Sequence, residues 1–439
     1  MRILMLTDDR VIDRRILQEA ESLIDRGHEV ILIAAAQDGQ TAHEWAGRVK
    51  VERIPDDVRV PSRRHPLLTL GSACVVMALS EAPRLRRLLR GPLKCLGALV
   101  KGPEALVRVL AGRSRSAGPS SPLELAILDR VDQYRPDLIH AHDLPRLRVA
   151  VHAKRQAGVP LIYDAHELYP EINTLSPVDK RALERLEGRF ARHCDRVITV
   201  NPFIAREMAR RYAIPTPEVL FNAIDRPEGF DPQHKPDRFR AELPIAPDKA
   251  ILLYQGWMSA TRGLQDLVNA MAHVPDRVHL VMMGYGEARA ELERIVRDRG
   301  LGRRVHFKDA VPVTELLWWT ASADAGIIPY RPVDLNNYYC SPNKLFEFIQ
   351  ASLPLIVNDL PFLRQVVGQE GFGVVAPLDG AELIGLAISE MFDPARGGPG
   401  RFRPRLLARA SEYNWTHEES RLLAIYRALC PEAFRREPA

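Results

Sequence analysis

Short runs of aliphatic and β-branched residues alternate with helical patterns along two stretches of the chain, the signature of parallel sheets flanked by helices. In the first stretch, strands are predicted at residues 3–7, 30–34, 138–142, 161–164, 197–200 and 219–221. Between the first two, apolar positions recur at helical spacing from Asp13 to Arg26, and Gly27 closes that helix. In the second stretch, strands are predicted at residues 251–254, 279–283, 305–307, 325–329, 355–357 and 373–375. A Pro-, Asp- and charge-rich segment, 225–248, reads as the linker between them, and a helical tail runs over 416–429. The pattern predicts an α/β protein of two facing, Rossmann-like, doubly wound domains (1–221 and 222–411) with a tail at 412–439. Such a pair leaves a cleft at the carboxyl ends of both sets of strands, where ligands bind.

The 439 residues suffice for two or three domains, and 46% hydrophobic with 27% charged residues excludes a disordered or collagen-like chain. Five dispersed cysteines, Cys74, Cys95, Cys194, Cys340 and Cys430, argue against a disulfide framework or zinc knuckle and for a reducing cytosol. The opening Met1-Arg2-Ile3-Leu4 lacks the charged region and cleavage site of a secretory signal. The longest uncharged stretch, 66–80, is 15 residues, short of the roughly 18 that a spanning helix needs. A cytoplasmic protein is expected.

Charge distribution changes that picture. The net charge is +5, but residues 61–115 carry eleven Arg and Lys against Glu81 and Glu104, which leaves −4 for the rest. Within this arm Leu85, Leu88, Leu89, Leu93 and Leu96 recur at helical spacing among Arg84, Arg86, Arg87, Arg90 and Lys94. An insertion at about 60–115 is therefore expected to contact the anionic inner face of a membrane peripherally. The competing reading is a solvated helical insertion that packs its leucines on its own domain. Nucleic acid is not expected, because the arm lacks interleaved aromatics.

The second stretch holds the candidate chemistry. In Tyr254-Gln255-Gly256-Trp257-Met258-Ser259-Ala260-Thr261-Arg262-Gly263, a strand enters a loop with glycines at both ends and a cation just before a helix, a setting suited to phosphate. Gly284-Tyr285-Gly286 forms a second glycine loop after a strand, without the third glycine of a dinucleotide fingerprint. In Ser341-Pro342-Asn343-Lys344-Leu345-Phe346-Glu347, Pro342 suits the first turn of a helix and leaves the N–H groups of Asn343 and Lys344 for an anion. Lys344 and Glu347, three residues apart, can reach one side of the cleft. The carboxylate can accept two hydrogen bonds from a ribose diol while the lysine neutralises phosphate.

Taken in order, Gly256 to Gly263, Gly284-Tyr285-Gly286, Val305-His306-Phe307, Ala323-Asp324-Ala325 and Pro342-Asn343-Lys344 to Glu347 resemble glycosyltransferase family 4. Leu138-Ile139-His140-Ala141-His142-Asp143, Tyr163-Asp164-Ala165-His166-Glu167, Phe221-Asn222-Ala223-Ile224-Asp225 and Tyr413-Asn414-Trp415 extend the likeness to nearly the whole chain except 55–120. The resemblance implies a GT-B fold and retaining transfer of a sugar from a nucleotide donor, with a last helix that crosses back onto the first domain. It implies Arg262 on the donor diphosphate, Glu347 on the donor ribose and His142 near the donor sugar. Tyr339, Trp257 and Pro342 depart from the family pattern at a glutamate, an arginine and a glycine position, and Thr7-Asp8-Asp9-Arg10 lacks the usual glycine pair. Lys344 is expected to replace the charge missing at Trp257.

The candidate catalytic residues are accordingly His142, Arg262, Lys344 and Glu347. Gly256, Gly263, Gly284, Gly286, Pro342 and Asn343 join the last three around the donor. Arg10, Arg14, His142, Asp143, His166 and Glu167 are the expected acceptor side, with Arg10 or Arg14 meeting an anionic group. His140, on the same strand face as His142, reads as a hydrogen-bonded core residue. A metal held by the His-x-His-Asp and His-Glu pairs is the lesser alternative; no Asp-x-Asp follows a predicted strand, and neither metal nor other cofactor is expected beyond the donor. A lipid-linked or membrane-associated glycan is the expected acceptor, in surface polysaccharide or glycolipid synthesis. A sugar-nucleotide epimerase, which needs no acceptor, and a non-catalytic nucleotide-sugar-binding partner of another transferase are the competing functions.

Overall fold

The computed structural model describes residues 1–36, 42–55, 121–172 and 174–434. The basic arm expected at about 60–115 lies outside them. The first sheet contains β1 (Arg2–Leu6), β2 (Glu29–Ala35), β3 (Ala42–Ala46), β4 (Val49–Ile54), β5 (Leu138–His142), β6 (Leu161–Ala165), β7 (Arg196–Thr199) and β8 (Glu218–Val219), in the order β3-β4-β2-β1-β5-β6-β7-β8. The second contains β9 (Ala250–Gln255), β10 (Val278–Met283), β11 (Val305–Lys308), β12 (Ala325–Ile328), β13 (Leu355–Asn358) and β14 (Gly373–Ala376), in the order β11-β10-β9-β12-β13-β14. Every pairing is parallel except β3 against β4. The central strands β1, β5 and β9 are buried along nearly their whole length, as the interior of a doubly covered parallel sheet requires.

All twelve strands expected from the sequence are present. The hairpin β3–β4 was not expected. Every residue of β3 from Ala42 to Trp45 is exposed, so this edge strand has no alternation to betray it, while β4 buries Val49, Val51 and Ile54 beside β2. The expected linker also does more than connect. Phe230, Phe239 and Ile245 within it pack into the core of the second domain with Ile251, Leu253 and Trp319.

Two features of this arrangement position the site. Strand order reverses between β1 and β5 and between β9 and β12, so the chain splays apart at the carboxyl ends of each pair, and both openings face one cleft. The tail helix, Trp415–Leu429, leaves the second domain and docks on the first. Its Leu422, Leu423 and Tyr426 bury against Ile3, Met5, Ile16 and Leu23, and Trp415 Nε1 donates to Ser22 Oγ at 2.9 Å.

Candidate active site

The cleft encloses a cavity of about 680 Å³ lined by both domains, within the range of small-molecule sites. On the second-domain side, β9 ends at Gln255 and Gly256 turns away with φ of 104°. A Cβ on Gly256 would lie 3.5 Å from Lys344 Nζ, and one on Gly284 would lie 2.1 Å from the Gly256 carbonyl oxygen. Gly256 is thus favoured by its positive φ, and Gly284 is needed because a Cβ would meet the backbone of the crossing loop. The N–H groups of Gly256 and Gly284 are not left for a ligand: they donate to the carbonyls of Met283 and Lys308 at 2.9 Å.

The helix Asn343–Gln350 points its start into the cavity. Pro342 is its N-cap, one position earlier than expected, and no side chain caps that end. The Leu345 N–H already donates to the Pro342 carbonyl at 2.9 Å, while the N–H groups of Asn343 and Lys344 have no acceptor within the helix. Lys344 is 5% exposed, and its Nζ has no hydrogen-bond partner. The ammonium lies 4.0 Å above the Tyr254 ring and 5.1 Å from that of Tyr330. Burial, and then the Arg262 charge, push its pKa well below the lysine range. Arg262 lies over the same Tyr330 ring at 4.8 Å and donates to the Trp257 carbonyl at 3.3 Å. The Trp257 indole itself donates to Glu287 at 2.7 Å. The Arg262 guanidinium, the Lys344 amine, two aromatic faces and an uncapped helix start therefore converge on one seat for an anion. Glu347, one turn on, also lines the cavity.

The first-domain wall is built differently. Asp143, just past β5, has φ of 58°, a rare conformation for a non-glycine residue and a common one at functional sites. This turn leaves His142 inside the sheet and brings Asp143 to the cavity with His166 and Glu167. The His166 N–H donates to Asp143 Oδ1 at 3.0 Å, and its ring nitrogens lie 3.6 Å from Asp143 Oδ2 and 3.5 Å from Asp164 Oδ2. Burial opposes charge on His166, but these two carboxylates outweigh it and raise the imidazole to about 10. Burial lifts Asp143 to about 7.

Two family models match this chain. One described as "Glycosyl transferase 4-like domain" covers residues 12–224, and one described as "Glycosyl transferases group 1" covers residues 249–393. Apart from Asp9 and Val11, each wall of the cleft thus falls within one of them. The chain belongs to the GT-B glycosyltransferases. An uncharacterised glycosyltransferase of Methanocaldococcus jannaschii is 25% identical over 254 residues, 56% of this chain and 62% of that protein. A D-inositol 3-phosphate glycosyltransferase of Catenulispora acidiphila is 26% identical over 314 residues, 66% of this chain and 72% of that one. The fold is shared with HepE of Anabaena, solved in complex with UDP and glucose, with a TM-score of 0.67 at 15% identity over 98% of this chain and 100% of that one.

In this glycosyltransferase, Gly256, Arg262, Gly284, Pro342, Asn343, Lys344 and Glu347 line the cavity, as do Asp143, His166 and Glu167. Gly263 and Gly286 belong to the same loops, with φ of 71° and 142°, but lie off the wall. Three expectations need correction. His142 does not reach the cavity: it is fully buried, stacked on His140 at 4.3 Å, with Nδ1 3.3 Å from His166 Nε2. Arg14 does not point into an acceptor site but donates to Glu347 across the cleft at 3.0 Å. Arg10 is exposed and lies off the wall, with its carbonyl accepting from Arg53. Asp9 and Asp13 stand on the wall instead, so the first domain offers mainly acceptors of hydrogen bonds.

Behind His166 lies a buried charged cluster. Arg15 donates to Glu19 at 2.9 Å and to both oxygens of Asp164 at 3.0 Å, and it also reaches the Leu220 carbonyl and Asn222. His140 Nδ1 meets the Tyr426 hydroxyl of the tail helix at 2.8 Å, as a core histidine should. Glu19, His140, His142 and Asp164 bring ligand atoms within 4.8 Å of one another, yet Arg15 already pairs with both carboxylates, and burial, with Asp164 beside it, raises Glu19 to about 8. Neither Arg15 nor Gln255 was singled out from the sequence. Gln255 could have been, since it ends a strand at the point where strand order reverses.

The ionisation of this wall is measurable. In labelled protein, the His166 imidazole should remain protonated at pH 7 to 8 and titrate near 10, while His140, held down to about 3 by burial, stays neutral. His166 therefore contributes stability in full below the unfolded histidine value of about 6.5 and loses it as pH rises towards 10. A His166 midpoint near 6.5 would contradict the paired geometry.

Proposed function

We propose that this cleft moves a glycosyl group from a nucleotide-diphosphate sugar to a membrane-associated glycan acceptor, with retention of anomeric configuration. The single observation that carries the donor half is the Lys344 ammonium: buried, without a hydrogen-bond partner, beside Arg262 and facing the cavity at an uncapped helix start. Donor breakdown builds negative charge on the β-phosphate, and cations and helix dipoles already aimed at that point stabilise it without reorganisation. Glu347 takes the ribose. His142 acts through His166, as a buried support rather than in contact with the sugar.

The acceptor half rests on the first-domain wall. Asp9, Asp13, Asp143 and Glu167 suit hydroxyl donors rather than phosphate, so the reacting end of the acceptor is a sugar and any phosphate it carries lies farther out. Among the described residues no helix is long and apolar enough to cross a membrane. The basic amphipathic segment at 61–115 supports a peripheral, cytoplasmic-face encounter with an acceptor anchored in anionic lipid.

Two experiments test these halves. Lys344→Ala should lower donor affinity, turnover or both by about tenfold or more, the worth of a charge-assisted bond to phosphate. In the wild type, a diphosphate restores charge to the depressed Lys344, so binding should take up a proton and weaken as pH rises. Calorimetry in buffers of different ionisation enthalpy reads this directly; unchanged binding and turnover in Lys344→Ala would refute it. Deleting 61–115 should abolish transfer on anionic membrane vesicles while slow donor hydrolysis persists, and equal vesicle activity would refute the membrane half.

A further inference from the structure

Glu347 is held by more than its own helix. Its Oε1 accepts from Arg14 Nη1 at 3.0 Å, and its Oε2 accepts from Gln255 Nε2 at 2.6 Å. Gln255 is 2% exposed and is oriented in turn by the buried Thr320 hydroxyl, which donates to its Oε1 at 2.8 Å. The amide nitrogen is thereby turned towards Glu347. Arg14 opens the helix Arg14–Asp25 of the first domain, and the other three residues belong to the second. A chain Thr320–Gln255–Glu347–Arg14 therefore crosses the cleft.

The first-domain end of this chain is itself fixed. Asp13 caps the helix by accepting the Arg15 N–H at 2.7 Å, and Arg15 is locked to Asp164. An ionised carboxylate offers about four acceptor sites. Two are filled here by donors from opposite domains, which sets the plane of the carboxylate. Two remain, the number that a vicinal diol requires, and Glu347 lines the cavity.

We infer that Arg14 is a positioning residue for ribose recognition: it holds Glu347 so that the unfilled lone pairs meet the donor 2′- and 3′-hydroxyls. This rests on the reading of the cleft as a nucleotide-diphosphate-sugar site. Discrimination in favour of a ribonucleotide then depends on the first domain, although the donor seat belongs to the second. Arg14 touches neither the sugar nor the phosphates and acts only through Glu347.

The test is calorimetric titration of the full chain with UDP, GDP, ADP and CDP, then with the 2′-deoxy form of whichever binds most tightly. The wild type should favour the ribonucleotide by about tenfold or more. Arg14→Ala and Arg14→Gln should bring that ratio towards one, mainly by weakening the ribonucleotide, and Arg14→Lys should restore part of it. Inorganic pyrophosphate, which needs Lys344 and Arg262 but no diol, should bind all four proteins alike and so report an intact fold. A wild-type ratio near one, or a ratio that persists in Arg14→Ala, would overturn the inference. So would tighter binding of both nucleotides by Arg14→Ala, because the guanidinium would then be a competitor. Failure of the wild type to bind any of the four nucleotides, or pyrophosphate, would instead bring down the nucleotide-sugar reading itself.

Discussion

A lysine ammonium buried against two tyrosine rings with no hydrogen-bond partner is an arrangement that a fold does not keep for stability. Removing such a group from water costs several kcal/mol unless something compensates it. The tyrosine faces return a part, about 2 kcal/mol or more for a desolvated pair. Nearby Arg262 adds to the cost rather than reducing it. The cleft thus holds Lys344 in a depressed ionisation state that an incoming anion relieves. The rest of the second-domain wall follows from that constraint. Gly284 lets two loops cross where a side chain would collide with the Gly256 carbonyl, and the start of Asn343–Gln350 aims the lysine at the gap.

The first domain solves the opposite problem. Its wall presents carboxylates to the cleft while keeping several buried acids and histidines close together. Arg15 holds Asp164 and Glu19 at once, burial keeps Glu19 up at about 8, and Asp164 in turn lies 3.5 Å from His166 Nε2. The tail helix closes the back of this cluster through Tyr426 and His140. A helix that crosses from one domain to the other therefore supports the first-domain wall without reaching the cavity. Movement of the domains would be felt at the Arg14–Glu347 pair.

Much of the fold was legible because parallel strands covered on both faces read as short, nearly continuous apolar runs. The β3–β4 hairpin was not, since its edge strand buries nothing, and Phe230, Phe239 and Ile245 were lost among the charges of a segment that looked like a linker. In the site, Lys344 and Glu347 were legible from their spacing behind Pro342. The partners of Glu347 were not: Arg14 lies 333 residues away, and nothing local in the sequence joins them. The choice between His142 and His166 also escaped, because it turns on the positive φ of Asp143, which strand alternation does not foresee.

The most direct test is a crystal structure with a bound nucleoside diphosphate. The account predicts a β-phosphate oxygen within about 3 Å of Lys344 Nζ, with Arg262 on the same diphosphate and the Asn343–Gln350 helix start behind it. A diphosphate bound elsewhere in the cleft, with Lys344 still buried and unpartnered, would contradict it.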